Sequence, residues 1–225
     1  DGCGFASPDK AFQLKVSGRV AYDTAFFNQS HQLRSAVGDE QDGTGFPYAR
    51  LQLSGRAWNY LKGVFELDFA GENGQDTPQF REVYMSIDGI PYGGGRDFEL
   101  CAGHYREPFS MEELTSVVYR PFNERSLANV FAPSYNAGLM IRDALLGEPK
   151  SERLTWAIGA FKEVDNWPSG NDSDEDQGYQ VTARVTGLPI YAEDGRKLLH
   201  LGAAYSLRNP DGAVVNYGAR PDSRL

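Results

Sequence analysis

The feature that most constrains this chain is a long two-faced alternation that keeps charge within it. From Phe12 to Phe27, the residues Phe12, Leu14, Val16, Val20 and Tyr22 share one parity, while Gln13, Lys15, Ser17, Arg19 and Asp23 share the other. Successive side chains of a strand point to opposite faces, so a period of two over this length predicts a strand with one apolar and one polar face. The pattern returns where Ala49, Leu51, Leu53 and Ala57 oppose Arg50, Gln52, Ser54 and Arg56, and where Gly63, Phe65, Leu67 and Phe69 oppose Lys62, Glu66 and Asp68. Between these two runs, Trp58, Asn59 and Tyr60 predict a tight turn. Val83, Met85 and Ile87 against Glu82, Tyr84 and Ser86 continue the series. Phe98 to Tyr105 follows, with a slip in alternation that predicts a bulge. The last runs are Gly138 to Ala144, Leu154 to Phe161, Tyr179 to Val185 and Leu198 to Leu207. No stretch carries a helical period. The reading is an all-β chain of about nine strands.

Two architectures accept such strands. In a soluble sandwich the polar faces look at water. In an antiparallel transmembrane barrel the apolar faces meet lipid, the polar faces line a lumen, and short turns at one end alternate with long loops at the other. The connections here are short near Trp58 and from Leu188 to Lys197, and long over 28–45, 109–135 and 164–178. Aromatic residues cluster near run ends, at Tyr22, Phe26, Phe27, Trp58, Tyr60 and Phe69, as they do at membrane interfaces. No apolar stretch approaches the roughly 20 residues of a membrane-spanning helix, which leaves strands of about 9–11 residues as the one way across. The net charge of −9 argues against nucleic acid as a partner, because a phosphate backbone calls for a basic face. Cys3 and Cys101 are too few for a disulfide scaffold, and their pairing stays open. The chain opens at Asp1 with no leader pattern, as a processed or truncated product would.

The segment from Pro108 to Arg125, PFSMEELTSVVYRPFNER, breaks the strand pattern for longer than a simple connection needs. Phe109, Met111, Leu114, Val117, Val118, Tyr119 and Phe122 predict an ordered loop that packs through apolar surface. Its run AGHYREPFSMEELTS, the FNERS that follows, and the Gly138-Leu139-Met140 strand start resemble the phosphate-selective porin O and P family. The FQLKVSGRV opening, the ARLQLSGRAWNYLKGVFELDFA hairpin, the AIGAF strand and the TARVTGLP strand extend the resemblance from Gly2 to about Pro210. It implies an outer-membrane antiparallel β-barrel of about 16 strands, homotrimeric, set in outer-membrane lipid, that passes small anionic solutes such as phosphate by diffusion. Residues 109–135 would be the inward-folded constriction, and residues 1–225 the N-terminal part of one barrel domain.

An anion path needs fixed positive charge and hydrogen-bond donors at a narrow passage. By lumen parity the candidates are Lys15, Arg19, Arg50, Arg56, Lys62 and Arg184, joined around the loop by Arg106, Ser116, Arg120, Glu124 and Arg125. Arg50, Arg56 and Arg125 are the core of the expected path. The chain also departs from the family. Where phosphate-selective members carry loop lysines it has Glu113 and Val118, and where many carry an Arg-Arg pair it has Pro47 and Tyr48. A carboxylate at Glu113 predicts weaker local anion affinity. Asp172, Asp174 and Asp176 before Gly178 have a spacing that can present carboxylates to Ca²⁺, although the glycine sits one residue late for an EF-hand. A solvated acidic loop is the favoured reading of them, with the metal site a weak alternative. No cofactor motif occurs. Two other readings remain open: a secreted β-sandwich that binds carbohydrate on its aromatic loop, and a β-rich hydrolase using Glu112 or Glu113. Adjacent carboxylates diverge in an extended loop, which is poor geometry for the latter.

Overall fold

The computed structural model describes residues 2–39, 41–70, 78–122, 124–148, 151–162, 178–209 and 217. Its strands are β1 (Cys3–Ala6), β2 (Phe12–Ala25), β3 (Gly43–Ala57), β4 (Leu61–Asp68) and β5 (Gln79–Gly93), then β6 (Arg96–Arg106), β7 (Tyr135–Glu148), β8 (Ser151–Lys162), β9 (Tyr179–Ala192) and β10 (Lys197–Asn209). They form one antiparallel sheet in sequence order, and its edge strands β1 and β10 do not pair with each other. Nine of these ten strands match the alternating runs. The tenth, β1, has only four residues, CGFA, too few for a period of two to register. A sandwich needs a second packed sheet, and the described residues contain one sheet only.

In a meander of this kind, successive turns fall at alternate ends. The connections β1–β2, β3–β4, β5–β6, β7–β8 and β9–β10 take two to five residues, while the four between them take ten to 28. All short turns therefore lie at one end of the sheet and all long loops at the other. The β3–β4 turn is as tight as Trp58, Asn59 and Tyr60 predict, with Trp58 and Asn59 at φ 50° and 66°. Such left-handed pairs match the twist of a hairpin.

The faces are inverted relative to a water-soluble domain. Glu66, Asp68, Ser86 and Thr182 are at most 2% exposed, while Val20, Met85, Leu139 and Leu201 on the opposite face are each more than half exposed. Lipid on one side and a lined interior on the other is the environment that tolerates this arrangement. The small apolar core sits on the inner face, where Cys101, Tyr105, Met140 and Phe161 pack with Tyr84 and Ala157. Phe161 lies over two glycines. A Cβ at Gly159 would stand 2.6 Å from its ring and one at Gly138 2.7 Å from it, so neither position admits a larger residue without repacking.

Two local features depart from the sequence reading, and a third is one it leaves open. The slip assigned to Phe98–Tyr105 arises across the pairing, where β5 carries extra residues between Ile87 and Ile90 and between Pro91 and Gly93. The loop between β2 and β3 holds a helix, α1 (His31–Val37), capped by Ser30 accepting from the Leu33 amide and ended at Gly38. A two-turn helix has too few residues to display a period, and its bracketing Ser30 and Gly38 were the available signal. Cys3 is exposed and Cys101 buried, both as free thiols.

Candidate permeation site

Residues 107–134 leave the end of β6, cross the polar face, and return at β7. Within them Met111–Leu114 form a short helix, α2, and Val117–Tyr119 and Leu127–Phe131 form 3-10 turns. Inner-face arginines hold the segment. Arg19 on β2 donates to Ser116 Oγ at 3.1 Å, Arg106 on β6 to the Glu113 carbonyl at 2.8 Å, and Arg184 on β9 to the Phe109 carbonyl at 3.1 Å. The segment thus spans the sheet from β2 to β9. At its start, the fully buried Glu107 accepts from Asn136 Nδ2 at 2.7 Å and from the Thr182 hydroxyl.

The expected apolar packing of this segment is not how it is held. Met111, Leu114, Val118, Tyr119 and Phe122 are exposed, and Phe109 and Val117 are half-buried. Hydrogen bonds to carbonyls and carboxylates do the anchoring, which suits a segment lying on a polar wall.

Glu113 is the segment's internal hub. Its buried carboxylate accepts from Asn129 Nδ2 and Ser134 Oγ, each at 2.9 Å, and pairs with Arg125 at 3.1 Å. Ser110 caps the helix by accepting from the Glu113 amide at 3.2 Å. The carboxylate expected to weaken local anion affinity is thus engaged by three partners inside the loop. Glu112 closes the segment on the other side, accepting from Ser126 N at 2.8 Å and Ser126 Oγ at 2.6 Å. The Ser126 hydroxyl is the main reason its carboxyl sits below the usual glutamate range. The two carboxylates serve separate hydrogen-bond sets, an arrangement unlike a glycosidase pair.

The wall arginines beneath are paired. Arg50 Nε lies 2.7 Å from Asp68 and Arg81 Nη2 3.3 Å from the same carboxylate. Arg19 lies 2.7 Å from Glu66, which also approaches Arg50 at 3.7 Å. Arg81 and Arg106 both stand over the Tyr135 ring, at 5.6 Å and 5.4 Å.

The loop arginines differ. Arg120 Nε and Nη1 and Arg125 Nε are buried with no hydrogen-bond acceptor among the described residues. Burial draws the Arg125 guanidinium below its ordinary value, with Glu113 opposing that shift. Arg120 and Arg125 also line, against the wall, a cavity of about 140 Å³ that Arg50, Arg81, Asp23, Glu124 and Tyr135 share. Buried N–H groups are costly to leave unmatched, and guanidinium donors suit an oxyanion.

Toward the short-turn end runs a chain of alternating charge. Arg56 pairs with Asp88 at 3.1 Å, Lys62 reaches Asp88 at 2.9 Å and Glu99 at 3.4 Å, and Arg142 meets Glu99 at 3.0 Å. Lys15 is exposed beside this chain, in a groove shared with Arg56, Lys62 and Arg142. The structure thus brings Arg50, Arg120, Glu124 and Arg125 to one cavity, with Arg19, Ser116 and Arg106 at its supports. Arg56, Lys62 and Lys15 belong to the second band, and Arg184 anchors the start of the loop.

Sequence reasoning missed Arg81 and Arg142. Between the pairs Phe65–Val83 and Leu67–Phe80, one residue of β4, Glu66, faces two of β5, Arg81 and Glu82, and this bulge lets both meet the inner face. Parity alone cannot show that. Arg142 shares the parity of Met140 and was open to the same reading as the other candidates. Among the described residues no group of side chains is arranged to hold a metal ion. Asp172, Asp174 and Asp176 lie outside the described residues.

Comparison with known families places this geometry in context. The model of the phosphate-selective porin O and P family matches residues 14–224, nearly the whole chain. No curated protein matches it.

Proposed function

The chain belongs to the phosphate-selective porin O and P family, and we propose that it does that family's work at the seam between loop and wall. A porin of this family is a channel for small anionic solutes such as phosphate; it passes them by diffusion rather than transforming them. In the proposed reading the ten strands are one arc of a barrel wall and residues 109–135 are its constriction. The protein sits in the bacterial outer membrane as a homotrimer, with the apolar outer face against lipid. That face supports the lipid contact, and the family resemblance supports the trimer.

One observation carries the site: the buried, unmatched N–H groups of Arg120 and Arg125 at the cavity they share with Arg50 and Arg81. An anion entering from the long-loop side exchanges its water for these donors, and the paired wall charges hold them in position. From there the second band, Arg56, Lys62 and Arg142, offers the next cations, each tempered by Asp88 or Glu99. Alternation of this kind keeps binding weak enough for release.

The test is the reversal potential of the complete gene product in a planar bilayer under a potassium chloride gradient, repeated with Arg50, Arg56 and Arg125 all replaced by Ala. The reading expects chloride preference in the parent, lost in the variant. Unchanged anion-to-cation permeability in the variant would overturn it. Channel formation in detergent-reconstituted protein, with no turnover change in Glu113→Gln, separates this reading from a soluble binding module or a hydrolase.

A further inference from the structure

The cavity between loop and wall contains carboxylates as well as arginines. A carboxylate beside an oxyanion repels it unless a proton lies between the two oxygens. Phosphate near neutral pH keeps at least one P–OH group, whereas sulfate has the same tetrahedral shape and none.

Asp23 is placed to use that difference. It lies on β2 just past the irregularity between Ala21 and Asp23. Its neighbour Tyr22 is exposed and packs edge-on against Phe46 with ring centroids 5.2 Å apart, while Asp23 is half-buried in the lining of the cavity. The other carboxylates of the region are committed: Asp68 to Arg50 and Arg81, Glu66 to Arg19, and Glu113 to Arg125. Glu124, the second carboxylate of the lining, is also engaged with protein groups. The Asp23 side chain holds no hydrogen bond or ion pair among the described residues, and it lines the same cavity as Arg120 and Arg125, whose guanidinium groups include buried N–H donors without acceptors.

We infer that Asp23 is a specificity-determining residue that admits phosphate and rejects sulfate, an inference that rests on the anion-passing reading above. The P–OH of phosphate donates to the Asp23 carboxylate while its other oxygens accept from Arg120 and Arg125. Sulfate presents only acceptors, so it sets an oxygen against the carboxylate and leaves both unmatched. A site built to bind a hydroxyl discriminates strongly against an analogue without one. The exposed part of Asp23 reduces that discrimination to roughly tenfold, since water there partly matches the carboxylate.

The test is block of the chloride current through the complete gene product by phosphate and by sulfate, at a pH where phosphate is mainly the dianion, so that charge and shape are equal. The parent is expected to show a half-blocking concentration roughly tenfold lower for phosphate. Asp23→Asn, whose amide both accepts and donates, should bring the two within about twofold, mainly by improving sulfate, while chloride preference persists. A phosphate-to-sulfate ratio that Asp23→Asn and Asp23→Ser both leave unchanged overturns the inference and spares the anion channel. Equal block of the parent by both anions does the same. No block by either, with no chloride preference, overturns the channel reading itself.

Discussion

The wall arginines and the loop arginines meet the same cavity on opposite terms. Arg50 and Arg81 are held at 2.7 Å and 3.3 Å by one carboxylate, Asp68, which is itself buried. Arg120 and Arg125 bring buried N–H groups that nothing described accepts. A buried ion pair adds little net stability, but removing one partner strands the other charge. The contrast is between wall charges paired into a frame and loop arginines that, beyond the Arg125–Glu113 pair, carry unmatched donors, which the proposed function assigns to a solute.

The largest expected effect comes from breaking the frame. Asp68→Ala should cost roughly 3–5 kcal/mol, because it leaves two buried guanidinium groups without their shared acceptor. The midpoint of denaturant unfolding in detergent measures it, and a loss below about 1 kcal/mol would mean the wall arginines are not held as described. Next is the tie between the two regions. Arg19→Ala removes a bond to Ser116 and one to Glu66, and should cost about 1.5–3 kcal/mol while raising hydrogen exchange in the loop around Ser116. Smaller still is the Glu112 clasp. Its carboxyl is held below the usual range, so its contribution is fully present above about pH 4.3 and fades as pH falls through the lowered folded value. Protection of the Ser126 amide relative to its intrinsic exchange rate, followed from pH 6 to pH 3, should fall only at the acid end. The smallest effect on stability belongs to Arg120→Ala, where relief of buried unmatched donors opposes the lost packing of the side chain and the unfolding free energy should change by no more than about 0.5 kcal/mol. It should nonetheless weaken phosphate block by roughly tenfold, the value of one lost charge-assisted contact. Stability and function would then separate between the two sets of arginines.

Most of the sheet was legible because strand alternation survives in any environment that keeps the two faces different. Phe12–Ala25, with its apolar and charged parities, reads the same from sequence and from structure. The face assignment also carried the candidates Arg19, Arg50 and Arg56 to the inner side, where each meets a carboxylate. What stayed hidden depends on geometry that no period records. Arg81 reaches the inner face through a bulge, and β1 is too short to alternate. The loop was recognisable as a break in pattern, yet its anchoring was not. Which carbonyl an arginine will find, at Phe109 or Glu113, depends on how the chain crosses the wall. The role of Glu113 was hidden for the same reason, since its partners Asn129 and Ser134 come 16 and 21 residues later.

The central claim is that a solute anion completes the hydrogen bonds the loop arginines lack. Anomalous diffraction from crystals of the protein soaked in arsenate, the heavier isostere of phosphate, tests it most directly. The account predicts an arsenic peak in the cavity between loop and wall, with oxygens in hydrogen-bond reach of Arg120 Nε and Arg125 Nε. Arsenate found only elsewhere at saturating concentration, with those N–H groups turned to protein acceptors, would contradict it.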